Sequence, residues 1–518
     1  MASPQEKLAD SIVALEDLQT RGVVAVRSAD LSRTHRERLL AHGDLQQVMK
    51  GWYVASLPNR AGGETTAWYA SYWAFCAEYL TTRFGHEWSL SPEQSVLIHA
   101  GTWSVPTQLL VRSPGARNQV THLAHDTALF ETRASLPPQD HTEVIDGLRL
   151  FSIPAALVAS APGVFAQNAN DVRTVLAMVR DASDVLAVLL KGGHSTVAGR
   201  LAGGFRNIGR DRSAEQILTT MKGAGYDVRE SDPFDRPAPF RLSTGELSPH
   251  VVRMRLDWHT MRERVMEVFP DPPDMRKTRN TNLSSVEDVY VEDAYHSLSI
   301  EGYRVSRELI ERVRNGDWYA DAYAPDHEKR AAMAAQGYYE AFKLVRQSIA
   351  SVLQGGNPGE VAETDHGTWY RELLGPSVSA GILDTADLAG YRNSRIVIRH
   401  SRRTPPSGEA MRELMPALFE LLKEETDPSV RAVLGHFMFV YIHPYMHGNG
   451  RMARFLMNVM FAAGGYPWTI VPVERRDAYM ANLETASVEQ DIEPLAEFLA
   501  GLVDDRLARQ RKLSAHNG

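Results

Sequence analysis

The residues most able to do chemistry lie in one run, His443-Pro-Tyr-Met-His-Gly-Asn-Gly-Arg-Met-Ala-Arg454. The apolar stretch Leu434–Ile442 reads as a helix leading into it, and Pro444 steers His443 out of helical backbone. That puts an imidazole at a helix end, where it can reach a substrate. Gly448 and Gly450 flank Asn449, a composition that suits a nest of backbone N–H groups around an anion. Arg451 opens the next helix, whose N-terminus adds partial positive charge. Arg454 follows three residues later on about the same side. A base, an anion cradle and two guanidinium groups form an apparatus for holding a polyphosphate beside a group that removes a proton. A zinc-protease reading of His443 and His447 fails, because Pro444 lies between them and no Glu follows the first His.

The elements that must position this run are helical. Periodicity predicts helices over 284–300, 304–314, 326–353, 409–424, 429–442, 450–463 and 491–509. The exceptions are the β-prone Arg395–Arg399 and the turn at Thr404-Pro405-Pro406. His436, Phe437, Phe439 and Tyr441 read as core of the helix before the motif, and Met452, Met457 and Met460 as packing. Pro/Asp-rich stretches at Asp232–Phe240 and Pro270–Pro273 break the pattern upstream, so a domain over 250–518 is expected.

The remainder divides into two predicted parts. Residues 61–240 read as a mixed α/β domain, with strands at Val96–Ala100 and Gln108–Val111 and one amphipathic helix over Asp171–Leu190. Lys191–Arg212 carries a net +4 charge, for which a solvated basic face is favoured over phosphate contact. Glycines of this run such as Gly192, Gly193, Gly203, Gly204 and Gly209 match neither the dinucleotide fingerprint nor the Walker loop. Residues 1–60 show a helix, a second short helix over 29–42 and a hairpin over Leu45–Ala55 broken at Lys50-Gly51, the winged-helix pattern. Arg33, Arg36, Arg38 and Lys50 are its candidate DNA contacts, although eight basic against seven acidic residues leave a small electrostatic footprint. A helical protein-docking module is the alternative for this part.

Composition bounds the class. The 518 residues carry a formal charge of −8, with 43% hydrophobic and 23% charged residues, which excludes a disordered or collagen-like chain. The single cysteine, Cys76, cannot form an internal disulfide. No basic n-region precedes an apolar stretch at Met1–Lys7, and stretches such as Phe455–Ala463 fall short of the ~20 apolar residues that span a bilayer. A cytoplasmic protein without membrane contact is expected.

The run from His443 to Arg454 resembles the signature of the Fic (filamentation induced by cAMP) family, His-Pro-Phe-x-(Asp/Glu)-Gly-Asn-Gly-Arg-x-x-Arg. His443, Pro444, Gly448, Asn449, Gly450, Arg451 and Arg454 are identical to it, Tyr445 stands for Phe, and His447 departs. Gly390-Tyr-Arg392, Ile396–Ile398 and Pro405-Pro406 look like the family's flap hairpin and its entry; Arg476–Tyr479 and Asp491–Phe498 also follow the family's course. The resemblance implies a mostly α protein: an all-helical Fic domain with a β-hairpin flap, preceded by the winged-helix module and the mixed α/β domain. It also implies an adenylyltransferase that moves AMP from ATP to a Ser, Thr or Tyr hydroxyl of a target protein, self-modification included. In that role His443 is the general base, Gly448, Asn449 and Gly450 cradle phosphates, and Arg451 and Arg454 bind the outer ones.

Ser297-Leu-Ser-Ile-Glu301-Gly302 matches the family's inhibitory motif, (Ser/Thr)-x-x-x-Glu-(Gly/Asn), on a helix expected over about 284–302. By that resemblance Ser297, Glu301 and Gly302 hold the site back, with Glu301 pairing to Arg454. His447 replaces the acidic residue that holds Mg²⁺, and imidazole is a poor ligand for so hard an ion. Mg²⁺ bound more weakly, another divalent metal, a related phosphate-linked transfer or AMP removal, and a degenerate nucleotide-sensing regulator therefore stand as alternatives. The first ~240 residues resemble the AbiEi type of toxin–antitoxin regulator, on His35–Tyr53 and Gly147–Val158. That resemblance implies DNA as a partner. Members of the Fic class can also dimerise.

Overall fold

The computed structural model describes residues 3–56, 65–242, 248–273, 286–318, 326–394 and 396–516, without side chains for 512–516. The chain divides into two compact units: Met1–Arg253 with Val397–Thr404, and Met254–Ile396 with Pro405–Gly518. The division falls inside the helix Pro249–Val268, and both predicted N-terminal parts share the first unit.

The first unit begins with the helix Pro4–Thr20, closed at its start by a capping box in which Ser3 and Glu6 exchange hydrogen bonds. A second helix, Arg33–His42, ends on Gly43 at φ 92°. Strands Val26–Arg27, Leu45–Met49 and Trp52–Ala55 form a three-stranded antiparallel sheet with the last strand central. Leu15, Leu18, Leu31, Leu39 and Leu45 close a small core between helices and sheet. A four-stranded sheet follows, in which Gln108–Ser113 runs parallel to Ala128–Arg133. The hairpin Thr142–Ile145 with Leu148–Phe151 leads into a set of helices from Ile153 to Gly223.

Several local expectations change here. Val96–Ala100 is not a strand but belongs to the helix Pro92–His99. Its start was written in the sequence: Ser91 caps Gln94 N–H at 3.1 Å, Pro92 fits the first turn, and Glu93 faces the helix dipole. The long helix over Asp171–Leu190 is two helices, Ala169–Met178 and Ala182–Gly192, broken at Val179. Arg210 satisfies the carbonyls exposed at the break, donating to Leu176 O at 3.0 Å and to Val179 O. Three cations of the basic run, Arg200, Arg206 and Arg210, are thus bonded within the chain, while Lys191 and Arg212 stay exposed. Arg200 donates to Ser160 O at 3.0 Å, and Arg206 pairs with Glu230 at 2.6 Å. A Cβ on Gly203 would lie 2.1 Å from Ser231 O, so this glycine admits a neighbouring backbone rather than a nucleotide.

The expected flap is not a paired hairpin. Among the described residues of 390–406 there is no strand, and Arg395 lies outside them. Val397–Thr404 belongs to the first unit, where Val105 N–H donates to Arg402 O at 2.7 Å and Arg402 Nε returns a bond to Val105 O at 3.0 Å. Backbone groups that a hairpin would use within itself are taken up there instead.

The second unit is helical, and periodicity predicts Tyr290–Ile300, Arg307–Arg314, Asp326–Leu353, Gly408–Glu424, Pro428–Ile442, Asn449–Ala463 and Glu493–His516 but not Pro358–Ser379 or Arg476–Val488. Residues 284 and 285 of the predicted first helix lie outside the described residues. Asn449–Ala463 is buried along almost its whole length, which explains its run of Met, Phe and Leu. His436 is fully buried on Pro428–Ile442, accepting at Nε2 or donating to the Tyr479 hydroxyl at 2.7 Å. Burial pushes its imidazole pKa down to about 4. No helix among the described residues is long and apolar enough to cross a membrane.

Candidate active site

Two helices meet at the His443–Arg454 run. Pro428–Ile442 is capped by Asp427, whose carboxylate accepts from Ser429 and Val430 N–H, and it ends on His443 at φ 52° and ψ 62°. A left-handed conformation is costly for a residue with a Cβ, so surrounding bonds must enforce it. Arg392 supplies them. Its buried guanidinium donates to His443 O at 2.8 Å, Ser394 O at 3.0 Å and Pro406 O at 2.6 Å, and its own N–H donates to Pro444 O at 2.9 Å. Burial lowers the Arg392 pKa, while the carbonyls around it satisfy its donors.

The loop is closed by Asn449. Its side chain accepts from Tyr445 N–H at 2.9 Å and donates to Tyr445 O at 2.7 Å. Tyr445 in turn stacks on Tyr370, with ring centroids 3.7 Å apart and planes 9° from parallel. Gly448 stands just before Asn449–Ala463 at φ 78°, a conformation glycine adopts at least cost. The N-terminus of that helix, with Arg451 in its first turn, therefore faces the same loop end as His443. Arg451 is 3% exposed, lies over the Tyr303 ring at 5.3 Å, and its Nε has no hydrogen-bond partner among the described residues. A buried guanidinium with an unmet donor is suited to receive an anion.

Arg454 is occupied from the protein itself. Its Nε donates to Ser297 Oγ at 2.9 Å, and one terminal nitrogen donates to Ser297 O at 3.0 Å and Glu301 Oε1 at 2.8 Å. Burial pushes the Glu301 carboxyl up, but Arg454 and Arg451 outweigh it and hold its pKa below the ordinary range. Burial likewise opposes the charge on Arg454, yet Glu301 keeps its pKa raised. Glu301 directly follows Tyr290–Ile300, and Gly302 turns the chain at φ 87° with its N–H on Ser299 O. Arg476 Nε donates to Ile300 O at 2.9 Å, holding this helix end in place. A Cβ on Gly450 would stand 2.3 Å from Glu301 Oε1, so the carboxylate lies directly over the glycine cradle.

Residues 369–461 match the profile described as the Fic/DOC family. The chain carries a Fic domain. Over 219 residues it is 27% identical to protein adenylyltransferase fic-1 of Caenorhabditis elegans, covering 42% of this chain and 40% of that protein. Over 225 residues it is 26% identical to protein adenylyltransferase Fic of Drosophila willistoni, covering 43% and 41%. The chain thus spans about two fifths of the length of these curated relatives. A solved structure of Fic-1 (residues 134–508) from C. elegans aligns over 69% of this chain and 99% of its own, at 20% identity and a TM-score of 0.39. A Fic family protein from Desulfovibrio desulfuricans G20 aligns over 53% and 77%, at 18% identity and a TM-score of 0.35.

The structure brings Ser297, Glu301 and Gly302, from outside the matched residues, to the loop that holds His443, Gly448, Asn449, Gly450, Arg451 and Arg454. His447 lies on that loop, 44% exposed, and no group of three His, Cys, Asp or Glu forms a metal cluster among the described residues. Sequence spacing missed Arg392 as the staple of the loop, and it missed Tyr370 and Tyr303, which come from other segments of the chain. The four candidate DNA contacts lie elsewhere, in the first unit. Arg33 pairs with Glu37 at 2.7 Å, Arg36 donates to Ser28 O at 2.8 Å, and Arg38 donates to Lys7 O at 3.3 Å. Lys50 is exposed at the strand turn. All three arginines have partners within the chain, which gives the DNA reading no support.

Proposed function

We propose that the Fic domain transfers AMP from ATP to a hydroxyl side chain of a target protein, and that Glu301 restrains it. The observation that carries this reading is the convergence, within residues 369–461, of His443 at one helix end with Gly448–Arg454 at the start of the next. His443 takes the hydroxyl proton as the oxygen attacks the α-phosphorus. The bond from that phosphorus to the bridging oxygen breaks, and pyrophosphate leaves. Backbone N–H groups of Gly448–Gly450 and the helix dipole hold the α- and β-phosphates, and Arg451 offers its unmet donor to the anion. Positioning and electrostatics are most of what such a transfer needs.

Arg454 is the group that the terminal phosphate needs, and Glu301 competes for it at 2.8 Å. The names of the curated relatives, protein adenylyltransferases, accord with this chemistry. A divalent ion on the phosphates would neutralise developing charge, and His447 is the side chain nearest in sequence to hold it. Incubation of wild type, Glu301→Gly and His447→Asp with ATP labelled at the α- or the γ-phosphate tests the reading. Protein label from α alone is expected. Label from γ alone would indicate phosphate transfer, and no label with ATP still bound would indicate a nucleotide sensor; either would sink the reading.

A further inference from the structure

Resting on that transferase reading, the geometry points to Asp387 as the oxygen ligand of a divalent-cation site shared with His447, a site that takes a transition-metal ion such as Mn²⁺ or Co²⁺ in preference to Mg²⁺. His447 Nε2 stands 3.5 Å from Asp387 Oδ2, and the carboxylate is 17% exposed against 44% for the imidazole. The distance is long for a hydrogen bond. It is close to the separation of two neighbouring ligands on one ion: with bonds of about 2.1 Å, donors lie about 3.0 Å apart in octahedral and about 3.4 Å apart in tetrahedral geometry.

His447 lies on the loop that presents the glycine cradle, and Asp387 on a turn tied to that loop. Asp387 lies on the short turn Thr385–Ala389, which Asp384 caps through Ala386 N–H at 2.9 Å. The Tyr370 hydroxyl donates to Asp387 O at 2.7 Å, and the same ring stacks on Tyr445, two residues before His447. Asp387 and His447 are therefore tied through one aromatic pair to the loop that Asn449 closes. Phosphate oxygens and water complete the shell. One imidazole and one carboxylate form a mixed nitrogen–oxygen set, which suits Mn²⁺, Co²⁺ or Zn²⁺ better than the oxygen-only set that Mg²⁺ demands.

The test uses the full chain with Glu301→Gly, so that a non-hydrolysable ATP analogue can seat fully. Co²⁺ is titrated against the protein–analogue complex and followed by its visible absorption, which reports nitrogen and oxygen ligands without any turnover. Saturable bands are expected. Asp387→Asn and His447→Ala should each weaken Co²⁺ at least about tenfold, and Asp387→Glu should retain most of it. Circular dichroism and melting curves show that each variant is folded. His447→Asp should shift preference towards Mg²⁺, read by competition for the Co²⁺ signal. Equal Co²⁺ affinity in Asp387→Asn overturns the inference and leaves the transferase reading standing. No analogue binding to any variant, measured by calorimetry without metal, overturns both.

Discussion

Glu301 Oε1 and the Arg454 guanidinium meet at 2.8 Å across 153 residues of sequence, beside Gly450 in the first turn of the helix that carries Arg454. The pair is part-buried, and both partners keep their charge despite burial. Removing the carboxylate frees Arg454 without touching His443. Glu301→Gly is therefore expected to raise α-label incorporation at least about tenfold, the scale of a charge-assisted contact. Unchanged incorporation and unchanged ATP affinity would show that Glu301 exerts no restraint.

His443→Ala removes the proposed base but leaves the cradle. In the Glu301→Gly background, transfer should fall by about 10²–10⁴, the usual contribution of general base catalysis, while ATP affinity stays within a few-fold. Steady-state rates and nucleotide calorimetry separate the two quantities. A parallel loss of affinity would recast His443 as a binding residue.

Arg392→Met should destabilise the loop even though this side chain meets no proposed substrate. Its loss strands the carbonyls of His443, Ser394 and Pro406, at a cost of about 2–4 kcal/mol in urea unfolding. Arg392→Lys should rescue little, since one ammonium cannot reproduce the fork of donors. Full stability of the Lys variant would argue against the staple.

His436 makes stability pH-dependent. Burial depresses its pKa to about 4 in the folded state, against about 6.5 unfolded, so the unfolded chain binds the extra proton in between. The neutral buried imidazole contributes stability that is complete above about pH 6.5 and is lost as pH falls towards 4. The slope approaches about 1.4 kcal/mol per pH unit in that window. His436→Asn should flatten the curve of unfolding free energy between pH 7 and 5, measured by urea titration. An unchanged slope would mean that other groups carry it.

The sequence by itself determined most helices of the second unit and the residue types that the loop brings together. Gly408–Glu424, Pro428–Ile442 and Asn449–Ala463 fall within a residue of their predicted starts, because caps and apolar periodicity are local signals. The motif from His443 to Arg454 was legible for the same reason: its base, glycines and arginines are neighbours in the chain. Where a non-local partner decides, reading fails. The break at Val179 is met by Arg210, and the described residues of 390–406 hold no strand where Val105 pairs with Arg402 instead.

Tertiary structure alone decided what holds the site. Arg392 fixes the left-handed turn at His443, Tyr370 stacks beneath Tyr445, and Asp387 comes within reach of His447. None of these pairings leaves a spacing in the sequence, since each joins segments that meet only after the helices pack. The family's inhibitory motif named Glu301 and Arg454 as partners. Only the fold placed the carboxylate over Gly450, because the helix ends at Ile300 and Asn449 come together only once the helices pack.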